Sequence, residues 1–227
     1  MNVCRQVTLP IVFCLISTIA LAQSLSCHTV DERAAMKQAP NGAQRIGKHT
    51  LEINYKKGSK RFVDNPPHNE YFGLHWRYCG YDSQTKVHLI GMDIEDLFSG
   101  QILFEDTGKL LRAGHTILFS PNRENFLAIE QPDGMYTELW SVYDISGKTI
   151  WTSQAGTMKQ NHNIDSGLVE STFEDPRWNP QGELTARVVC NLWSSQKVAA
   201  SVVLRLLASQ TAAASVVLPV RKRFTAS

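Results

Sequence analysis

Between residues 113 and 151 the sequence AGHTILFSPNRENFLAIEQPDGMYTELWSVYDISGKTIW breaks every apolar run before a helix could establish itself. The runs at 116–119, 126–129, 138–143 and 149–151 are rich in β-branched and aromatic residues. Ser120-Pro121-Asn122, Pro132-Asp133-Gly134 and Asp144-Ile145-Ser146-Gly147 separate them. Strand-length runs with turn chemistry at this spacing predict consecutive antiparallel strands.

Weaker copies flank this stretch. With a shift of 50 residues Trp76 falls on Phe126, Cys79 on Ile129 and Leu89 on Leu139. Ser99-Gly100, leading to Phe104, answers Ser146-Gly147, leading to Trp151. Trp178-Asn179-Pro180-Gln181 echoes Phe119-Ser120-Pro121-Asn122, and Cys190 to Lys197 repeats the spacing of Cys79 to Lys86. A period of about 50 to 60 residues with several strands per unit predicts repeated β-meanders. Upstream, 48–63 alternates around Lys57-Gly58-Ser59 as a hairpin, and its cluster Lys56, Lys57, Lys60 and Arg61 reads as a solvated hairpin end. Asp31 and Pro40-Asn41-Gly42 bracket a short helix near 30–38. The apolar tail at 198–220 reads as a closing hairpin. Its alternative is a membrane anchor, which Arg205, Gln210 and Pro219 disfavour.

The decapeptide Val142-Tyr143-Asp144-Ile145-Ser146-Gly147-Lys148-Thr149-Ile150-Trp151 resembles the strand-turn-strand of quinoprotein-type propeller repeats. Ser120-Pro121-Asn122 and Asn179-Pro180-Gln181-Gly182 resemble the turns of WD-type and TolB-type blades. The resemblance covers about 71–206. It implies an all-β, propeller-like domain of about three meanders over 47–220, and a twisted β-sandwich is the alternative architecture. Residues 23–46 are then expected as a loosely packed lead-in and 221–227 as a basic tail.

Residues 1–22 have the form of a secretory signal: Arg5, an apolar run at 9–21, and a small-x-small site ending at Ala22. Export places the chain in the periplasm or outside the cell, where Cys27, Cys79 and Cys190 are candidates for one disulfide and one free thiol, with the connectivity open. With 23 basic and 21 acidic residues the net charge of +2 gives no electrostatic footprint for nucleic acid.

No pattern points to catalysis. Gly-x-Ser-x-Gly is missing from the sequence, and His68, Glu70, His75 and Cys79 have no metal-ligand spacing. The oxygen-rich loop at 161–167 has one carboxylate and a displaced glycine for a calcium loop. Neither a metal nor a cofactor is expected. Trp76, Trp140 and Trp151 read as packing residues, whereas Trp178 and Trp193 read as partly exposed. With Asp82 and Asp133 these two tryptophans are the candidate binding residues. The expectation is a non-catalytic binding or scaffold protein of a bacterial envelope, using loops and strand edges to hold a partner protein, with no membrane association beyond export. A polysaccharide-acting hydrolase or ligand binder, with Asp82 and Asp133 lining a cleft, and a periplasmic inhibitor or immunity protein are the alternatives.

Overall fold

The computed structural model describes residues 24–28, 30–66, 73–94, 97–131, 138–158, 169–192 and 197–204, and the expected leader at 1–22 lies outside them. The fold is all-β with one short helix. In chain order it runs β1 (Ser24–Ser26), α1 (Glu32–Lys37), β2 (Ala43–Ile46), β3 (Thr50–Tyr55), β4 (Gly58–Val63) and β5 (Leu74–Asp82). It continues with β6 (Val87–Ile94), β7 (Leu97–Phe104), β8 (Leu110–Gly114), β9 (Thr116–Phe119) and β10 (Asn125–Glu130). The last strands are β11 (Glu138–Asp144), β12 (Thr149–Met158), β13 (Val169–Trp178), β14 (Leu184–Leu192) and β15 (Lys197–Leu204). They assemble into antiparallel sheets β2-β3-β4, β5-β6-β7-β8 and β1-β9-β10-β11-β12-β13-β14-β15.

Side-chain alternation stacks these sheets in layers. On β6, Val87 and Leu89 join a core with Ile117, Phe119, Phe126 and Ala128 of the eight-stranded sheet. Ile90 turns the other way, toward Leu51, Ile53 and Phe62 of the three-stranded sheet and Ala35 of α1. The four-stranded sheet is therefore the middle layer, which is why 87–91 is buried throughout. β10 is also covered on both faces. Phe126 and Ala128 serve the inner core, while Leu127 and Ile129 meet Trp140, Trp178 and Leu184 on the far side. Each fully buried aliphatic or aromatic side chain stabilises the fold by about 1.5–3 kcal/mol.

The layers change hands at a tight crossing. β8 ends at Gly114 and β9 begins at Thr116, so His115 alone links the middle sheet to the outer one. A Cβ on Gly114 would lie 1.6 Å from the Ile129 carbonyl oxygen, and one on Gly100 would lie 2.6 Å from that of Gly114. Only glycine permits backbones to pass this closely.

Several expectations hold. The runs at 116–119, 126–129, 138–143 and 149–151 are β9 to β12, and the hairpin at 48–63 is β3-β4, with Tyr55 opposite Gly58. Asp31 caps α1, its Oδ1 accepting from the Arg33 N–H at 2.9 Å. Other features differ. The described residues of the lead-in, 24–28 and 30–46, are packed rather than loose: β1 pairs with β9, a disulfide joins Cys27 to Cys79, and β2 pairs with β3. The two Ser-Gly pairs are not equivalent. Gly147 takes a turn with φ 81°, whereas Ser99-Gly100 lies inside β7, where the close crossing needs glycine for a different reason.

Among the described residues no ring of blades closes. β12 pairs with β11 through Thr149 to Ala155 and with β13 through Gly156 to Met158, so what reads as two units is one continuous sheet. Of the tail, Lys197–Leu204 is a strand on β14 and the remainder lies outside the described residues. Among the described residues no helix is long and apolar enough to cross a membrane.

Candidate functional site

Where α1, the three-stranded sheet and the start of β5 meet, an open cleft of about 440 Å3 lies between the layers. Its anchor is Asp64. β4 stops at Val63, and the Pro66-Pro67 break removes backbone donors from the following chain. Asp64 fills the seam between sheets: its N–H donates to the His49 carbonyl at 2.8 Å and its Oδ1 accepts from the Trp76 N–H at 2.8 Å. Its side chain is only 5% exposed.

Three nitrogens face the other carboxylate oxygen. Arg45 Nη1, His49 Nδ1 and His75 Nδ1 lie 3.8, 3.6 and 3.8 Å from Asp64 Oδ2, close enough for attraction and too far for direct hydrogen bonds. Arg45 comes from β2, on the strand face that pairs it laterally with Leu51 and then Phe62. Its Nε and Nη2 donate to Glu32 of α1 at 3.2 and 2.9 Å, and Nη2 also donates to the Trp76 carbonyl. Glu32 Oε1 in turn accepts from the Tyr78 N–H at 2.8 Å. Arg45 Nη1 is different: it is buried and has no hydrogen-bond partner among the described residues.

The rest of the lining is paired or peripheral. Arg77 of β5 bonds Asp93 of β6 and donates from Nη1 to the Cys27 carbonyl at 3.2 Å, while Lys48 stands exposed on the turn before β3. Glu32, Asp64 and Asp93 balance Arg45, Lys48 and Arg77, three negative charges against three positive, so the cleft is neutral when its histidines are. A guanidinium and a carboxylate side by side present donors and acceptors together.

A second titratable set is sealed. Tyr78 Oη lies 2.9 Å from His88 Nδ1, and His88 Nε2 lies 2.5 Å from Glu105 Oε2, whose other oxygen accepts from Asn41 Nδ2. Tyr78 and His88 are fully buried and Glu105 nearly so. Burial lowers the His88 pKa, against the pull of Glu105, and burial also raises that of Tyr78. A neutral His88 then donates from Nε2 to the carboxylate and accepts the tyrosine proton at Nδ1. With no exposure at the imidazole, this set braces the three- and four-stranded sheets against each other. His115 at the sheet crossing is likewise pushed down to about 4, by burial and then by the neighbouring His28.

The residues expected to bind are placed elsewhere. Asp82 is fully buried, its Oδ1 accepting from Arg123 Nη1 at 2.9 Å and its Oδ2 from the Thr85 N–H and hydroxyl, so it lines no cleft. Trp178 is 7% exposed rather than open, with Nε1 donating to the Leu118 carbonyl at 3.0 Å. Asp133 and Trp193 lie outside the described residues, as do His68, Glu70 and the loop at 161–167. Of the cysteine candidates Cys27 and Cys79 form the disulfide, and the main chain of Cys190 lies in β14 opposite Val198.

The cleft residues Glu32, Arg45 and Asp64 escaped sequence reasoning. The available signal was Arg45, a charge on the inward face of a short hairpin strand, and Asp64, an acid two residues before a double proline. No protein-family model matches the chain, and no curated protein or solved structure is significantly similar to it.

Proposed function

We propose that this chain is an exported binding protein of the bacterial envelope, non-catalytic, with the cleft around Asp64 as its recognition site. The observation that carries the reading is Arg45 Nη1, a buried donor of a cleft-lining residue that has no hydrogen-bond partner among the described residues and stands 3.8 Å from the Asp64 carboxylate. A donor in that state costs about 1–3 kcal/mol and recovers it when a ligand or water supplies an acceptor. The disulfide supports export, because such a bond persists in an oxidising compartment.

The second reading is a partner protein held at strand edges. One observation favours it: Ile46, Thr50 and Val63 lie side by side across the three-stranded sheet, and Ile46 and Val63 are 42% and 54% exposed on its two edge strands. Capture from envelope extract with the wild-type protein, Arg45→Met and the double variant Ile46→Asp/Val63→Asp separates the readings. The cleft reading expects loss of the bound component in Arg45→Met alone. Loss confined to the double variant transfers the function to the sheet edge.

A further inference from the structure

We infer that the cleft binds a neutral, hydroxyl-rich ligand, a sugar unit of an envelope glycan, through Arg45 and Asp64. The inference rests on the cleft being the recognition site and names its ligand. Arg45 Nη1 needs an acceptor. Asp64 Oδ2, 3.8 Å away, is an acceptor itself and is nine-tenths buried with its side chain. An atom placed against both must accept from one and donate to the other, and an O–H group does both. A carboxylate or phosphate would satisfy the guanidinium but bring its charge against Asp64 at a distance where repulsion is only weakly screened. A cation would meet the reverse problem at Arg45.

The overall charge points the same way. The three acids and the three lysine and arginine cations cancel within the lining, so these charges leave no net excess to select an ion. What remains is a dense alternation of fixed donors and acceptors, which matches vicinal hydroxyls. The fixed geometry follows from the seam: the Asp64 carboxylate is held by the Trp76 N–H, and the Arg45 fork by Glu32 and the Trp76 carbonyl. A volume of about 440 Å3 lies within the roughly 300–1,000 Å3 of small-molecule sites.

The test titrates the oxidised protein with neutral hexose and N-acetylhexosamine disaccharides, with matched uronic-acid disaccharides and with inorganic phosphate, at low and high ionic strength. The expected result is binding of a neutral disaccharide, with affinity unchanged by salt and weakened roughly 10- to 100-fold in Arg45→Met. Lys48→Trp, at an exposed turn position remote from the core, blocks the mouth and abolishes binding even if Arg45→Met folds poorly. Tighter binding of the uronate or phosphate, falling steeply with salt and with Lys48→Ala, overturns the neutral ligand in favour of an anion. If no sugar binds while Arg45 still governs capture of an envelope protein, the glycan is wrong and the cleft reading stands. If neither sugar binding nor capture responds to Arg45→Met or Lys48→Trp, both fall.

Discussion

β5 carries two sets of similar chemistry, and the sets have different fates. His75 and Arg77 turn toward the cleft, while Tyr78 turns inward to His88 and Glu105. Both sets combine histidine with carboxylate. Inside, burial drives histidine toward the neutral form and locks each proton in one hydrogen bond, so the set acts as a brace. At the cleft, the nitrogens stand 3.6–3.8 Å from Asp64 Oδ2, and one buried donor has no hydrogen-bond partner among the described residues. Solvent access rather than residue type separates the sealed set from the open cleft.

The largest test of this contrast is the disulfide, which ties the cleft wall to β5 across 52 residues of chain. Replacing Cys27 and Cys79 with serine should cost about 4 kcal/mol in chemical denaturation. The cleft should lose its ligand before the sealed set opens, which hydrogen exchange at Tyr78 and His88 amides would follow. Simultaneous loss of protection at both would merge the two regions into one unit.

Glu105→Ala comes next. It strands the buried His88 N–H and Asn41, at an expected cost of about 2–4 kcal/mol. Replacing Tyr78, His88 and Glu105 together by phenylalanine and two leucines should recover most of that loss, because an apolar set leaves nothing unpaired. Failure to recover would mean that the brace has a role beyond packing.

Acid should act through the buried histidines. His115, near 6.5 when unfolded, is held to about 4 in the fold, and burial lowers His88 as well. The unfolded chain therefore takes up protons first. Stability from His115 is complete above about pH 6.5 and is lost as the pH falls through about 4, by about 3 kcal/mol in all. Urea midpoints at several pH values should show this slope, and His115→Asn should flatten it.

Arg45→Met should have the smallest effect on stability, about 1 kcal/mol, because its pair with Glu32 is partly solvated. Its effect on ligand capture should far exceed that. A stability loss rivalling that of Glu105→Ala would make the cleft charges structural and erase the contrast.

How far the site was legible follows from these residues. Period-two alternation marks a strand locally, so β9 to β12 and the β3-β4 hairpin could be read, and Asp31 announced α1 by its capping chemistry. Asp82 and Trp178 looked available because an acid in a turn and a tryptophan beside one often are. Here Arg123 and Leu118, respectively 41 and 60 residues distant in sequence, cover or bond them.

By itself the sequence determined the all-β class, most strand positions and Cys27, Cys79 and Cys190 as disulfide candidates. The layering of the sheets, the pairing of Cys27 with Cys79 and the meeting of Glu32, Arg45, Asp64 and Asp93 were decided only in the tertiary structure. Local pattern is set by neighbours two to four residues apart. A cleft is set by which strand edges and turns come to lie together, and here the single-residue crossing at His115 and the β4-to-β5 seam at Asp64 made that choice.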